Sequence, residues 1–246
     1  MHRTTKSVAA GSALVLIALA APQATAADTA DVDPLGRDGS AREVAVEATS
    51  TFYAGYAKTG VGEATTAASF KVPELTCGET DEGFVTTVYA ISADGGFLAG
   101  SDLFSFCESG AYEFNGRLTT SGGQLPFFYD LVPGDTVRLT IDEHAVGTST
   151  HDIVFQNLTR GTEILLPTNS PIDRIEIAHR RMSIGGVSIP PPDHGRIKFS
   201  DVVFDGVPFA DADAERTRLV NDEGEVLIAP RRGPGIGDFR LISKNG

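Results

Sequence analysis

The chain has 246 residues, with 20 Lys and Arg against 33 Asp and Glu, a net charge of −13 at pH 7. That charge repels a phosphate backbone, and no Lys/Arg cluster offsets it locally, which argues against nucleic-acid binding. Hydrophobic residues at 41% exclude wholesale disorder, and 22% charged residues beside 27 Gly suit a sheet protein better than a helical bundle.

Residues 1–26 read as a signal peptide. His2, Arg3 and Lys6 form a positive start, AAGSALVLIALAA is a short apolar run, and Ala24-Thr25-Ala26 supplies the small residues before a cleavage site. The apolar run is short for a bilayer span, and no later segment approaches the required length. An exported, extracellular protein with no membrane span is the expectation. Residues 27–49 are acidic and rich in small residues without periodicity, and read as a flexible lead-in or the remnant of a pro-segment.

From residue 50 to 246 the chain reads as one domain. Short apolar alternations recur and are broken by turn chemistry such as PGD, TRGT, PPPDHG and DEGE. TVRLTI is the clearest, with Val137, Leu139 and Ile141 on one face and Thr136, Arg138 and Thr140 on the other. The runs FVTTVYAIS, IVFQNL, RIEIAH, RIKFSDVVF, EVLIA and DFRLIS share this style. Residues 210–220, ADADAERTRLV, are the best helical candidate and hold a turn or two. Many short strands at this spacing predict an all-β antiparallel sandwich or barrel.

Cys77 and Cys107 are the two cysteines. An exported chain with an even count pairs them in the ordinary case, so a disulfide is expected. Closing that loop stabilises by about 3–4 kcal/mol on the chain-entropy model.

Four segments, in order, resemble the secreted glutamic peptidases, the eqolisins. FYAGYAKTG with ASFKVPELTC resembles the family's opening strand, Val-Pro turn and first cysteine. LVPGDTVRLTI with IVFQNLTRGTE resembles its Pro-Gly-Asp turn and Asn-Leu-Thr-x-Gly hairpin. IEIAHRRMSIGGVSIPPPDHGRIKFSDV resembles its catalytic Glu strand and Pro-Pro loop, and RLVNDEGEVLIAPRRGPGIGDFRLI its closing hairpin. The resemblance implies a two-sheet antiparallel β-sandwich, a concanavalin-like jelly roll, with a peptide cleft on its concave face. It also implies a Gln/Glu dyad at acid pH, the Glu as general acid/base and the Gln amide on the oxyanion.

On that resemblance Glu176 is the catalytic carboxyl. The Gln is lost: aligned on Cys107, Gly100 falls at its position, and no Gln occurs between Gln23 and Gln124. The Trp residues of the family's cleft are missing too, since this chain has 0 Trp. In RIEIAHR, Ile175 and Ile177 share one face, while Arg174, Glu176, Ala178 and Arg180 share the other. Glu176 is then either a cleft carboxyl or a surface glutamate among arginines, whose charge works against a general acid.

His144, His151, His179 and His194 lack metal-binding spacing and read as surface or loop residues, so no metal and no cofactor is expected. Ser101 reads as a turn residue rather than a nucleophile. Asn157-Leu158-Thr159 fits a glycosylation sequon but sits inside the hairpin. Two functions follow. One is an acid endopeptidase with a degenerate dyad, acting on peptide or protein as a monomer, with Gln124, Asn115 or backbone amides near Gly100 replacing the lost amide. The other is a catalytically silent sandwich that binds peptide or carbohydrate in the same cleft.

Overall fold

The computed structural model describes residues 48–61, 64–78, 82–108, 110–121, 123–143, 151–168, 171–184, 187–233, 235 and 237–244. The expected signal peptide, the lead-in as far as residue 47, and His144 lie outside the described residues. The chain opens with β1 (Ala48–Ser50), β2 (Tyr53–Thr59) and β3 (Thr66–Lys71). Two hairpins follow, β4 (Gly83–Ile91) with β5 (Phe97–Glu108) and β6 (Ala111–Thr120) with β7 (Gly123–Leu131). Next come β8 (Thr136–Glu143), β9 (His151–Asn157), β10 (Thr162–Thr168), β11 (Arg174–Arg180), and the short pair β12 (Met182–Ile184) and β13 (Val187–Ile189). The chain closes with β14 (Arg196–Phe204), β15 (Val207–Pro208), β16 (Glu215–Val220), β17 (Val226–Arg232) and β18 (Phe239–Ser243).

One hydrogen-bonded path runs β10–β9–β8–β3–β14–β18–β17–β16–β2–β11–β4–β5–β6–β7. Its ends fold over each other, so that β4, β5 and β6 pack on β8 and β9, and β11 packs on β3. The outcome is the expected antiparallel β-sandwich. Alternation decides which side chains enter it: Val137, Leu139 and Ile141 are buried as predicted. At one end of the core, Phe199 stacks on Phe239 at 4.4 Å, and Tyr56 meets Phe209 edge-on at 4.6 Å.

Residues 210–220 depart from the expected helix. A 3₁₀ turn spans Phe209–Asp211, and Glu215–Val220 is strand β16. Thr217 and Leu219 are buried, and β16 hydrogen-bonds to β17 and β2. Two paired edges outweigh local helix propensity.

The Pro-Gly-Asp and Asn-Leu-Thr-Arg-Gly turns are one unit. Gly134 takes φ +93°, a conformation that suits glycine. Asp135 then accepts hydrogen bonds from Asn157 Nδ2 at 3.0 Å and Arg160 Nε at 3.1 Å. Asn157 Oδ1 accepts from the Thr159 and Arg160 amides, which caps the β9–β10 turn. Asn157 is fully buried, so its sequon is structural in this fold. Cys77 and Cys107 form the expected disulfide, with Cα atoms 5.5 Å apart, tying the loop after β3 to β5.

Candidate functional site

Glu176 lies on β11, flanked on either side by β2 and β4. Ile175 and Ile177 belong to the core, so Glu176 points to the outer face of its layer. It is nevertheless only 3% exposed. Arg174 Nε reaches Oε1 at 3.1 Å, and Arg180 Nη2 reaches Oε2 at 2.5 Å. A guanidinium therefore holds each carboxylate oxygen.

The two arginines are fixed in turn. Arg174 donates to the Tyr53 hydroxyl at 2.9 Å and pairs with Glu215 at 3.2 Å, and Thr217 donates to the Tyr53 oxygen at 3.3 Å. The Arg180 guanidinium sits 3.8 Å from the centroid of the Tyr89 ring, a cation–π contact. Burial, against the pull of the Arg180 charge, pushes the Tyr89 phenol up to about 12. Burial and then the Glu176 charge raise the Tyr53 phenol as well. Both tyrosines remain protonated donors from acid to neutral pH.

Register aligns one row across the layer. Glu176 pairs with Ala57 and Tyr89, Tyr89 with Gly100, Gly100 with Thr119, and Thr119 with Gln124. Gly100 thus shares the row of Glu176 but stands two strands away, with Tyr89 between. A Cβ on Gly100 would lie 3.1 Å from Tyr89 Cδ2, so the aromatic ring fills the space where a side chain would project. Gln124 is four strand steps from Glu176, roughly 19 Å at the usual strand spacing. Asn115 is directed elsewhere, donating to the Glu113 carbonyl at 3.1 Å. Among the described residues no Gln or Asn amide is hydrogen-bonded to Glu176.

Other members of this face were not legible as site residues. Asp102, 3% exposed, takes Arg117 Nε at 2.9 Å and Nη2 at 2.8 Å. Thr87 and Thr119 flank Gly100, and their buried hydroxyls have no hydrogen-bond partner among the described residues. Counting by twos from Gly100 puts Asp102 on its face, but only cross-strand register brings in Thr87, Arg117 and Thr119.

Two expectations need correction. Ser101 is in mid-β5, where its hydroxyl donates to the Val154 carbonyl at 3.0 Å across the core. His151, His179 and His194 are buried rather than at the surface. His179 faces the core because it follows Glu176 by an odd number of residues, and its ring lies 5.3 Å from that of His194.

No protein-family model matches the chain, and no curated protein matches it in sequence. Solved structures do. Scytalido-glutamic peptidase, solved with a transition state analog inhibitor, superimposes with a TM-score of 0.61 at 14% identity, covering 78% of this chain and 98% of that one. SCP-B, a member of the eqolisin family solved with the tripeptide Ala-Ile-His, gives a TM-score of 0.56 at 14% identity over the same shares. The fold is that of the glutamic peptidases. Within that sandwich, Glu176 is a buried side chain of β11 that two arginines clamp.

Proposed function

We propose that this is an exported protein that keeps the glutamic-peptidase sandwich and has converted the catalytic carboxylate into a structural one. The face around Glu176 binds a peptide or carbohydrate and does not hydrolyse it. One observation carries this reading: each oxygen of a 3% exposed Glu176 is taken by an arginine. A general base must reach the attacking water and then release its proton, which needs an oxygen free to face the substrate. The missing amide and the Tyr89 ring beside Gly100 support the same reading. Export is supported by the N-terminal sequence and by the Cys77–Cys107 disulfide.

A specific observation favours a second reading, an acid-acting glutamic endopeptidase. Tyr53 shares Arg174 with Glu176, and its hydroxyl is a donor that could stand in for the lost amide. Digestion of an unfolded protein at about pH 2–5 separates the two. The binding reading expects no cleavage that Glu176→Gln abolishes. Cleavage by the wild type that disappears in that variant establishes the peptidase instead.

A further inference from the structure

Although no basic cluster is visible along the chain, strand register assembles one on the surface. In the second layer, Thr136 pairs with Lys71, Lys198 with Arg240, and Arg240 with Arg231. Phe70 and Phe199 are partners inside the core, so the next residues outward, Lys71 and Lys198, adjoin on the outer face. Arg196 and Arg138 join the same face by alternation, two residues from Lys198 and Thr136. Lys71, Arg196, Lys198 and Arg231 are exposed, and Arg138 and Arg240 are half-buried.

These six cations come from β3, β8, β14, β17 and β18. Asp238 bonds Lys198 at 2.7 Å, but Lys71, Arg196, Arg231 and Arg240 have no ion-pair partner among the described residues. Like charges directly opposite one another destabilise a sheet, so folding alone does not account for the row. Beside it opens a groove of about 410 Å³, lined by Lys71, Arg196, Lys198, Thr136 and Ser200 together with the apolar residues Phe70, Val72, Pro73 and Ile197.

We infer that this face binds an acidic polysaccharide, its carboxylates gripped by the cation row and its hydroxyls by Thr136 and Ser200. The cations repeat across the strands at about 4.8 Å, on the order of one sugar unit. A peptide would need main-chain partners, yet β3, β14 and β18 are each paired on both sides and offer no free edge. A single-stranded nucleic acid would need aromatic platforms, and a membrane apolar anchors; the row supplies neither. The net charge of −13 does not prevent binding, because charge beyond about 8 Å is screened at physiological salt while direct contacts are not. This site lies on the other layer from Glu176 and does not depend on the reading of that residue.

Retention on immobilised polygalacturonate tests it, comparing the wild type, the triple variant Lys71→Glu/Arg196→Glu/Arg231→Glu, and Lys58→Glu on β2 as control. At an ionic strength of about 0.15 M the wild type and the control should be retained and released by higher salt. The triple variant should bind roughly tenfold or more weakly. Circular dichroism checks its fold, and Arg196→Glu alone should shift affinity in the same direction. A wild type that is not retained, or a folded triple variant retained equally, overturns the inference. So does tighter binding to polyglutamate, anionic vesicles or single-stranded DNA, each of which assigns the face to another class of partner.

Discussion

Glu176 and Gly100 mark opposite departures from a working dyad: one side chain is over-engaged and the other is absent. Replacing Glu176 by Gln leaves Arg174 and Arg180 facing an amide that cannot neutralise them. Removing one partner of a fully buried ion pair costs about 3–5 kcal/mol. Here the arginine side chains are 21% and 16% exposed, and solvent relieves part of the penalty. A loss of about 2–3 kcal/mol is expected in urea unfolding. A change within about 0.5 kcal/mol, the range of ordinary surface substitutions, would show that Glu176 is not structural. Gly100→Gln restores the family's residue type but not its space. Its Cβ would press on Tyr89 at 3.1 Å, so the variant should lose about 1–3 kcal/mol and gain no proteolysis. Acid cleavage appearing in Gly100→Gln would show instead that the ring yields.

Between elements, the contact of β11 with the loop at 190–195 contributes to the protein's response to acid. His179 and His194 meet there beside Phe84, and neither ring nitrogen of His179 has a hydrogen-bond partner among the described residues. Burial holds His194 down to about 4, against the opposing pull of Asp193, and holds His179 well below the usual histidine range, helped by His194. The unfolded chain binds protons on these residues from about pH 6.5 downward, while His194 in the folded chain resists until about pH 4. Their contribution is therefore complete above pH 6.5 and is lost as pH falls through that window, by up to about 3 kcal/mol for His194. Urea midpoints should fall from pH 7 to pH 4, and the double variant His179→Phe/His194→Phe should flatten that slope. An equally steep slope in the double variant would remove the pair from the account. The disulfide is a second inter-element tie. Spanning 30 positions, it should contribute roughly 3–4 kcal/mol, measured as the stability lost in Cys77→Ala/Cys107→Ala.

Across the whole molecule, what the sequence made legible follows the range of the interactions. Period-two alternation and turn residues are local, and they reveal the all-β class, the buried face of β8 and the orientation of Glu176. The Pro-Gly-Asp and Asn-Leu-Thr turns are recognisable because Asp135 and Asn157 bond each other across them, which constrains both segments. Residues 210–220 misled because β16 is fixed by its partners rather than by its own propensity. Register is non-local, so neither the Tyr89 ring beside Gly100 nor the basic row on the second layer could be read along the chain. The buried histidines were within reach, since the alternation that puts Ile175 and Ile177 inside also puts His179 there. Ligand spacing is blind to this burial, which the facing of the strand determines. The central claim is that the Glu176 carboxylate is spoken for. Its most direct test is a crystal structure at about pH 4, in the acid range where such a dyad would work, with a peptide-based transition-state analogue present. Arg174 and Arg180 should still be bonded to the two Glu176 oxygens, with no analogue atom within about 3.2 Å of either oxygen. Glu176 turned away from the arginines and hydrogen-bonded to the analogue would contradict it.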